Sequence, residues 1–320
     1  MIVPNFWAEA SVKGDVDGRR ITIRRFGWSN ESEADAQVVA TQRAQEGLAA
    51  AQRGEAVHRR DLKRPYNGSD GVPIREEVVE RHGETVITRN SYGALCLNTP
   101  NVLFTDVDTA KEPADLGCLL FVGAAALGAG LHFWLDQLWT WLIPVAVFGV
   151  GSVWLKQWKA GAAERVLARF WDAMEEFVSS HPTWGCRVYE TPGGFRVLVT
   201  HSLFDPRGED AEGFMKALHS DSIYMRMCKK QNCFRARVSP KPWRVNIPDH
   251  IKPARGRWPV EPKVLVDRKR WVAQYEQACE GFASCRFVKA MGASTVCSEA
   301  QEVVERHDRM SRANSDLPIA

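Results

Sequence analysis

A chain of 320 residues, 45% hydrophobic and 25% charged, is long enough for one large domain or two small ones with an ordinary buried core. Its eight cysteines include no C-x-x-C pair, which excludes the usual zinc or dithiol signature, and they are read as reduced thiols. The net charge of +3 hides an asymmetry: Arg226 to Arg270 holds 14 Lys/Arg against Asp249, Glu261 and Asp267, a local +11 that leaves −8 for the rest. Such a segment fits either an anionic partner (nucleic acid, nucleotide phosphate or acidic lipid) or a solvated basic surface.

The first fifteen residues are mixed and carry no apolar core segment, so no signal peptide is expected. "RRITIRRF" reads as a strand and "ESEADAQVVATQRAQEGLAAAQRG" as an Ala-rich helix. "RPYNGSDGVP" reads as loop, and "PIREEVVERHGETVITRN" as a hairpin around His82 and Gly83. Residues 1–100 therefore form an α+β accessory region.

"NVLFTDVD" alternates as a short strand, and "GALCLN" just ahead of it also looks like its hairpin partner. From Leu116 to Leu155 the only charged residue among Asp, Glu, Lys and Arg is Asp136. The expectation is a transmembrane helical hairpin over 116–155, two spans turning near Asp136, with Phe133, Trp134, Trp139 and Trp141 at the headgroup level. Lys111, Lys156, Lys159 and Arg165 outside the block place both termini in the cytoplasm of a multi-pass inner-membrane protein.

Beyond the hairpin, "AAERVLARFWDAMEEFVSSHP" is an amphipathic helix, and "GCRVYE" and "FRVLVTH" are strands joined by "TPGG". "EDAEGFMKALHSDSIYMRMCKKQ" is helical with a break near Ser220, and "CFRARVS" is a strand. With the insert removed the order is β-α-β-β-α-β, an α+β ferredoxin-like antiparallel sheet formed by 101–115 and 156–245. Residues 246–320 follow as a basic segment and two helices, "DRKRWVAQYEQACEGF" and "SEAQEVVERHDRMSR".

Residues i and i+2 on a strand share a face about 7 Å apart, so Asp106 and Asp108 can hold Mg²⁺ or Mn²⁺ together. In a 4-1-3-2 sheet Arg196 and Arg235 become their neighbours, with Gly193 and Gly194 in the adjoining turn and His201 at the opposite end. Arg196, Arg235, Arg237 and Lys241 are the candidate phosphate-binding cations. Trp243 in "SPKPWR" either stacks on a base or packs between two prolines.

A hydrophobic D-x-D strand, a helix and a strand ending T-P-G-G before a returning strand together resemble the catalytic core of the archaeo-eukaryotic primase and primase-polymerase superfamily, over about residues 101–239. The resemblance implies that Asp106 and Asp108 are metal-binding catalytic acids for nucleotidyl transfer. It departs from the family at two motifs: Arg196 stands where a histidine contacts the triphosphate, and "CFRARVS" offers Arg235 and Arg237 where a third acid is usual. Two readings follow, a metal-dependent nucleotidyltransferase or a degenerate relative that binds nucleic acid or nucleotide without chemistry. A third is a membrane protein contacting anionic lipid through its basic segment. "PIREE", "TRNSYGALCLNTP" and "RVSPKPWR" are also similar to strings in uncharacterised bacterial proteins with a membrane hairpin.

Overall fold

The structure is a computed structural model that describes residues 3–61, 72–108, 117–135, 142–251 and 258–320. At the amino-terminal side, β1 (Phe6–Val16) and β2 (Arg19–Ser29) form an antiparallel hairpin. Its turn is Asp17–Gly18, both with positive φ, the backbone that a tight two-residue hairpin requires. Helix α1 (Glu33–Gln52) starts where Ser32 Oγ accepts the Asp35 N–H at 3.0 Å, and lays Ala36, Ala40 and Ala44 on the hairpin. A Cβ at Gly27 would overlap the Ala36 carbonyl, so the close approach of helix and strand needs a glycine there.

A four-stranded antiparallel sheet follows, composed of β3 (Glu77–His82), β4 (Thr85–Arg89), β5 (Leu95–Thr99) and β9 (Phe234–Arg237), in the order β3-β4-β5-β9. The second, of order β10-β7-β8-β6, contains β6 (Phe104–Asp108), β7 (Gly185–Thr191), β8 (Gly194–Val199) and β10 (Arg286–Gly292). Between β6 and β7 run α2 (Gly117–Leu135) and α3 (Leu142–Ser180). After β8 come α4 (Glu209–Ala217) and α5 (Ser222–Gln231), parted at Leu218–Asp221 where Asp221 caps α5 through Ile223 N–H. Helices α6 (Leu265–Cys279) and α7 (Ser298–Ser311) close the chain.

Two expectations are corrected. The first is the single βαββαβ sheet. The order β7-β8-β6 is as expected, but the fourth strand β9 pairs with β5 (Asn98 opposite Arg235), and β10 occupies the other edge beside β7. "GALCLN" is accordingly a partner of β4 and β9, and not of β6. The cause lies in Arg235: its buried guanidinium needs a buried acceptor, and Glu76 supplies one at 2.5 Å on the far side of that sheet. At the junction the Tyr224 hydroxyl lies within donating distance of Phe104 O (3.1 Å) and Arg235 O (3.0 Å), which share its one proton, and accepts the Arg235 N–H at 3.4 Å, so it links β6 and β9 in place of a ladder.

The second correction concerns the membrane. Among the described residues no helix is long and apolar enough to cross a membrane, so the transmembrane hairpin over 116–155 and the multi-pass inner-membrane placement are withdrawn. The second expected span is not a separate helix. Its described residues, 142–155, are the first part of α3, which runs for 39 residues in all and buries Phe170, Met174 and Phe177 against the sheet. Lys111, Leu116, Asp136, Trp139 and Trp141, on which that expectation partly rested, lie outside the described residues.

The core is organised by strand alternation. Phe195 and Val197 face α3, with Phe195 stacked on Phe170 at 4.3 Å between ring centroids. On the opposite face, Phe104, Tyr189 and Arg196 meet α7, whose His307 ring sits 5.4 Å from Phe104 and 4.6 Å from Tyr189. The sheet face expected to be free for ligands is therefore covered by a helix.

Candidate functional site

Asp106 and Arg196 are directly opposite in the β6–β8 ladder. Arg196 Nε donates to Asp106 Oδ1 at 2.8 Å and Nη2 to Oδ2 at 3.1 Å, a two-pronged grip that occupies both carboxylate oxygens. Arg196 is only 2% exposed and has two further partners, Arg237 O at 2.8 Å and His307 Nε2 at 3.4 Å. Burial disfavours its charge, but the Asp106 carboxylate more than offsets this and holds the guanidinium above its ordinary pKa. His307 in turn meets Asp308 Oδ1 at 3.1 Å, and Arg187 donates to Asp308 Oδ2 at 2.8 Å. Arg196 is thus one member of a polar chain running under α7.

Asp108 ends β6 at the exposed edge, opposite Gly194 and next to Gly193. Gly194 has φ +146, a conformation that favours glycine, so the T-P-G-G turn does adjoin the acid pair. Arg235 is not a neighbour of Asp106 in the ladder. It is buried beside Glu76, which also accepts the Thr88 hydroxyl at 2.7 Å.

These donors fit a divalent metal poorly. Asp106 has both oxygens engaged by Arg196, and the position of the expected third acid holds Arg235, whose charge is already matched by Glu76. Among the described residues no group of three or more His, Cys, Asp or Glu side chains is arranged to hold a metal ion.

The remaining predicted cations behave differently. Arg237, the last residue of β9 in the other sheet, is tied to this site through its carbonyl, 2.8 Å from Arg196 Nη1, and the 3-10 turn Pro242–Arg244 brings Lys241 and Arg244 beside it. Burial and the two neighbouring arginines lower the Lys241 pKa, against the pull of Asp108 and Asp106. Burial and Arg237 likewise lower that of Arg244. None of the three makes an ion pair among the described residues, and Arg237 Nε and Arg244 Nη1 are shielded from solvent without a hydrogen-bond acceptor there. Arg196, Arg237, Lys241 and Arg244 against Asp106 and Asp108 leave two positive charges in excess.

Two aromatic rings complete this surface. Trp243 is 53% exposed, with Lys241 Nζ 5.4 Å from its centroid and Tyr92 tilted beside it at 5.3 Å. Arg244 and Tyr92 were absent from the sequence-derived site, although the Lys241–Arg244 spacing places both on one side of a single turn. His307 was also missed, because nothing local to "VVERHDRM" indicates burial under a distant sheet.

No protein family matches the chain, and no curated protein or solved structure matches it significantly.

Proposed function

We propose that this chain is a non-catalytic binding module for a ligand carrying both phosphate and base, single-stranded nucleic acid or a nucleotide, on the surface formed by Arg237, Lys241, Arg244, Trp243 and Tyr92. The observation that carries the reading is the convergence of three cations, each without an ion pair among the described residues, beside an exposed indole. Clustered like charges raise one another's free energy, and a phosphate relieves that repulsion while accepting the unmatched N–H groups. A base stacks on an aromatic face whatever its sequence. Asp106 supports the site by neutralising Arg196 beneath it; it does not ligate a metal in this reading.

The test is fluorescence anisotropy of a labelled oligonucleotide with the full chain across a salt series. The affinity falls steeply with salt in the wild type. In Arg237→Ala/Lys241→Ala/Arg244→Ala the salt slope flattens by roughly 0.7 for each phosphate that is no longer neutralised. Binding unchanged in the triple variant refutes the proposal. Product formation from labelled nucleotides with Mn²⁺, abolished in Asp106→Ala, would favour nucleotidyl transfer instead.

A further inference from the structure

Strand β1 pairs with β2 along one edge, and among the described residues no strand lies against its other edge. The two-residue turn makes Val16 and Arg19 a hydrogen-bonded pair, so the even-numbered residues of β1 turn their N–H and C=O groups to β2 and the odd-numbered ones turn theirs outward. The outward row from Trp7 to Asp15 is a template for another strand, and only at its end does a side chain reach it, Gln52 Nε2 donating to Asp15 O at 3.4 Å. We infer that this edge takes β1 of a second copy of the chain, antiparallel and centred on Ser11, giving a two-fold dimer with a continuous β2-β1-β1-β2 sheet.

The strand is complementary to itself in that register. Ser11 meets Ser11, Glu9 meets Lys13 of the second copy, and Lys13 meets its Glu9, so symmetry forms the opposite-charge pair twice. On the α1 side Ala8 meets Gly14 and Ala10 meets Val12, all small or apolar. Glu9, Ser11 and Lys13 are exposed, and among the described residues neither charge has an ion-pair partner within the chain. A slip of two residues sets Glu9 against Asp15 in one direction and leaves both charges unmatched in the other. The charges that guard an open edge against indiscriminate pairing thus single out one arrangement among the long overlaps.

Helix α1 supplies an independent observation. Leu48 covers Gly14 so closely that a Cβ there would lie 2.6 Å from it, and Gln52 reaches Asp15 O, whereas Arg43 donates to Phe26 O on the far edge of β2. The flank of α1 toward the open edge therefore follows Leu48 and Gln52 back in steps of three and four residues through Gln45, Thr41, Gln37 and Ala34. It carries no charge, while the opposite flank holds Asp35, Arg43 and Glu46. Because α1 packs on both strands, a strand spacing of ~4.8 Å sets the two helices of the dimer about 10 Å apart, a helix-packing distance. An uncharged flank suits that contact.

Sedimentation equilibrium of the full chain tests the inference. The wild type is a reversible dimer. Lys13→Glu and Glu9→Lys each raise its dissociation constant tenfold or more with unchanged thermal melts, and the two substitutions combined restore dimerisation, because the swap rebuilds both pairs with the signs exchanged. The Arg237/Lys241/Arg244 triple alanine variant dimerises like the wild type, which keeps this result separate from oligonucleotide binding. A monomer at every concentration, a dimer indifferent to both single substitutions, or a loss that the double swap does not recover overturns it. Association through exposed apolar side chains elsewhere, such as Phe121 and Val145, gives the second of these outcomes.

Discussion

Arg196 and Asp106 face each other across the β6–β8 ladder and are joined by two hydrogen bonds, of 2.8 and 3.1 Å, so the carboxylate works as the counter-charge of a buried cation. Removing one member of such a pair strands the other. Asp106→Ala is expected to cost about 3 kcal/mol in urea-induced unfolding. Asp108→Asn, at the exposed end of the same strand, is expected to stay within about 0.5 kcal/mol of wild type. Because Asp108 opposes an incoming phosphate, the same substitution should tighten oligonucleotide binding, the opposite of its effect on a metal-dependent enzyme.

Lys241 gives a proton signature. Its folded pKa lies below the ordinary 10.5, lowered first by burial and then by Arg237 and Arg244. Between the two values the unfolded chain binds more protons, so the free protein gains stability as pH rises through that alkaline window. Below both values each state keeps the proton and the gain is absent. A bound phosphate cancels the repulsion and returns the pKa upwards, so binding within the window takes up protons. Titration calorimetry in buffers of different ionisation enthalpy should show this uptake, and Lys241→Met should abolish it.

Glu76 and Arg235 hold the strand-β3 side of the structure to β9 through a pair buried on both sides. Glu76→Ala leaves the guanidinium without its anion and should lower stability by roughly 3–5 kcal/mol in denaturant unfolding. Replacing both together, Glu76→Leu with Arg235→Met, should recover much of that loss.

Trp243 contributes little to the core, being about half exposed. Trp243→Ala should therefore leave the melting temperature within a degree or two (roughly ΔΔG below 0.5 kcal/mol) while weakening single-stranded binding by about 1–3 kcal/mol. Unchanged anisotropy titrations would remove stacking from the proposal.

Local chemistry made most elements legible. The 3.6-residue periodicity of "ARFWDAMEEFV", the break near Ser220, the T-P-G-G turn and the hairpin at His82 and Gly83 all depend on neighbours in sequence, and each is present. Strand partners were less legible. The choice of β9 between β6 and β5 is made by Glu76, 159 residues from Arg235, and no short-range pattern reports it. Strand β10 was overlooked because "RFVKAMG" alternates weakly in polarity, and β1 was overlooked although Ala8 to Val16 alternate strictly between apolar or small and polar residues. At the site, Asp106 and Arg196 were correctly brought together by register. Their role is not legible in the sequence, because a carboxylate gripped by arginine and one open to a metal look the same in one dimension.

The position of α7 bears on how the molecule is assembled. Phe104, Tyr189 and Arg196 are laid down in three strands that end by Val199, yet the side chains that shield them are contributed by residues around 307. During synthesis a charged guanidinium and two aromatic rings thus wait, uncovered, for about a hundred further codons to be translated. At some 5–20 residues per second that interval lasts seconds, long enough for a chaperone to meet the nascent chain on this face.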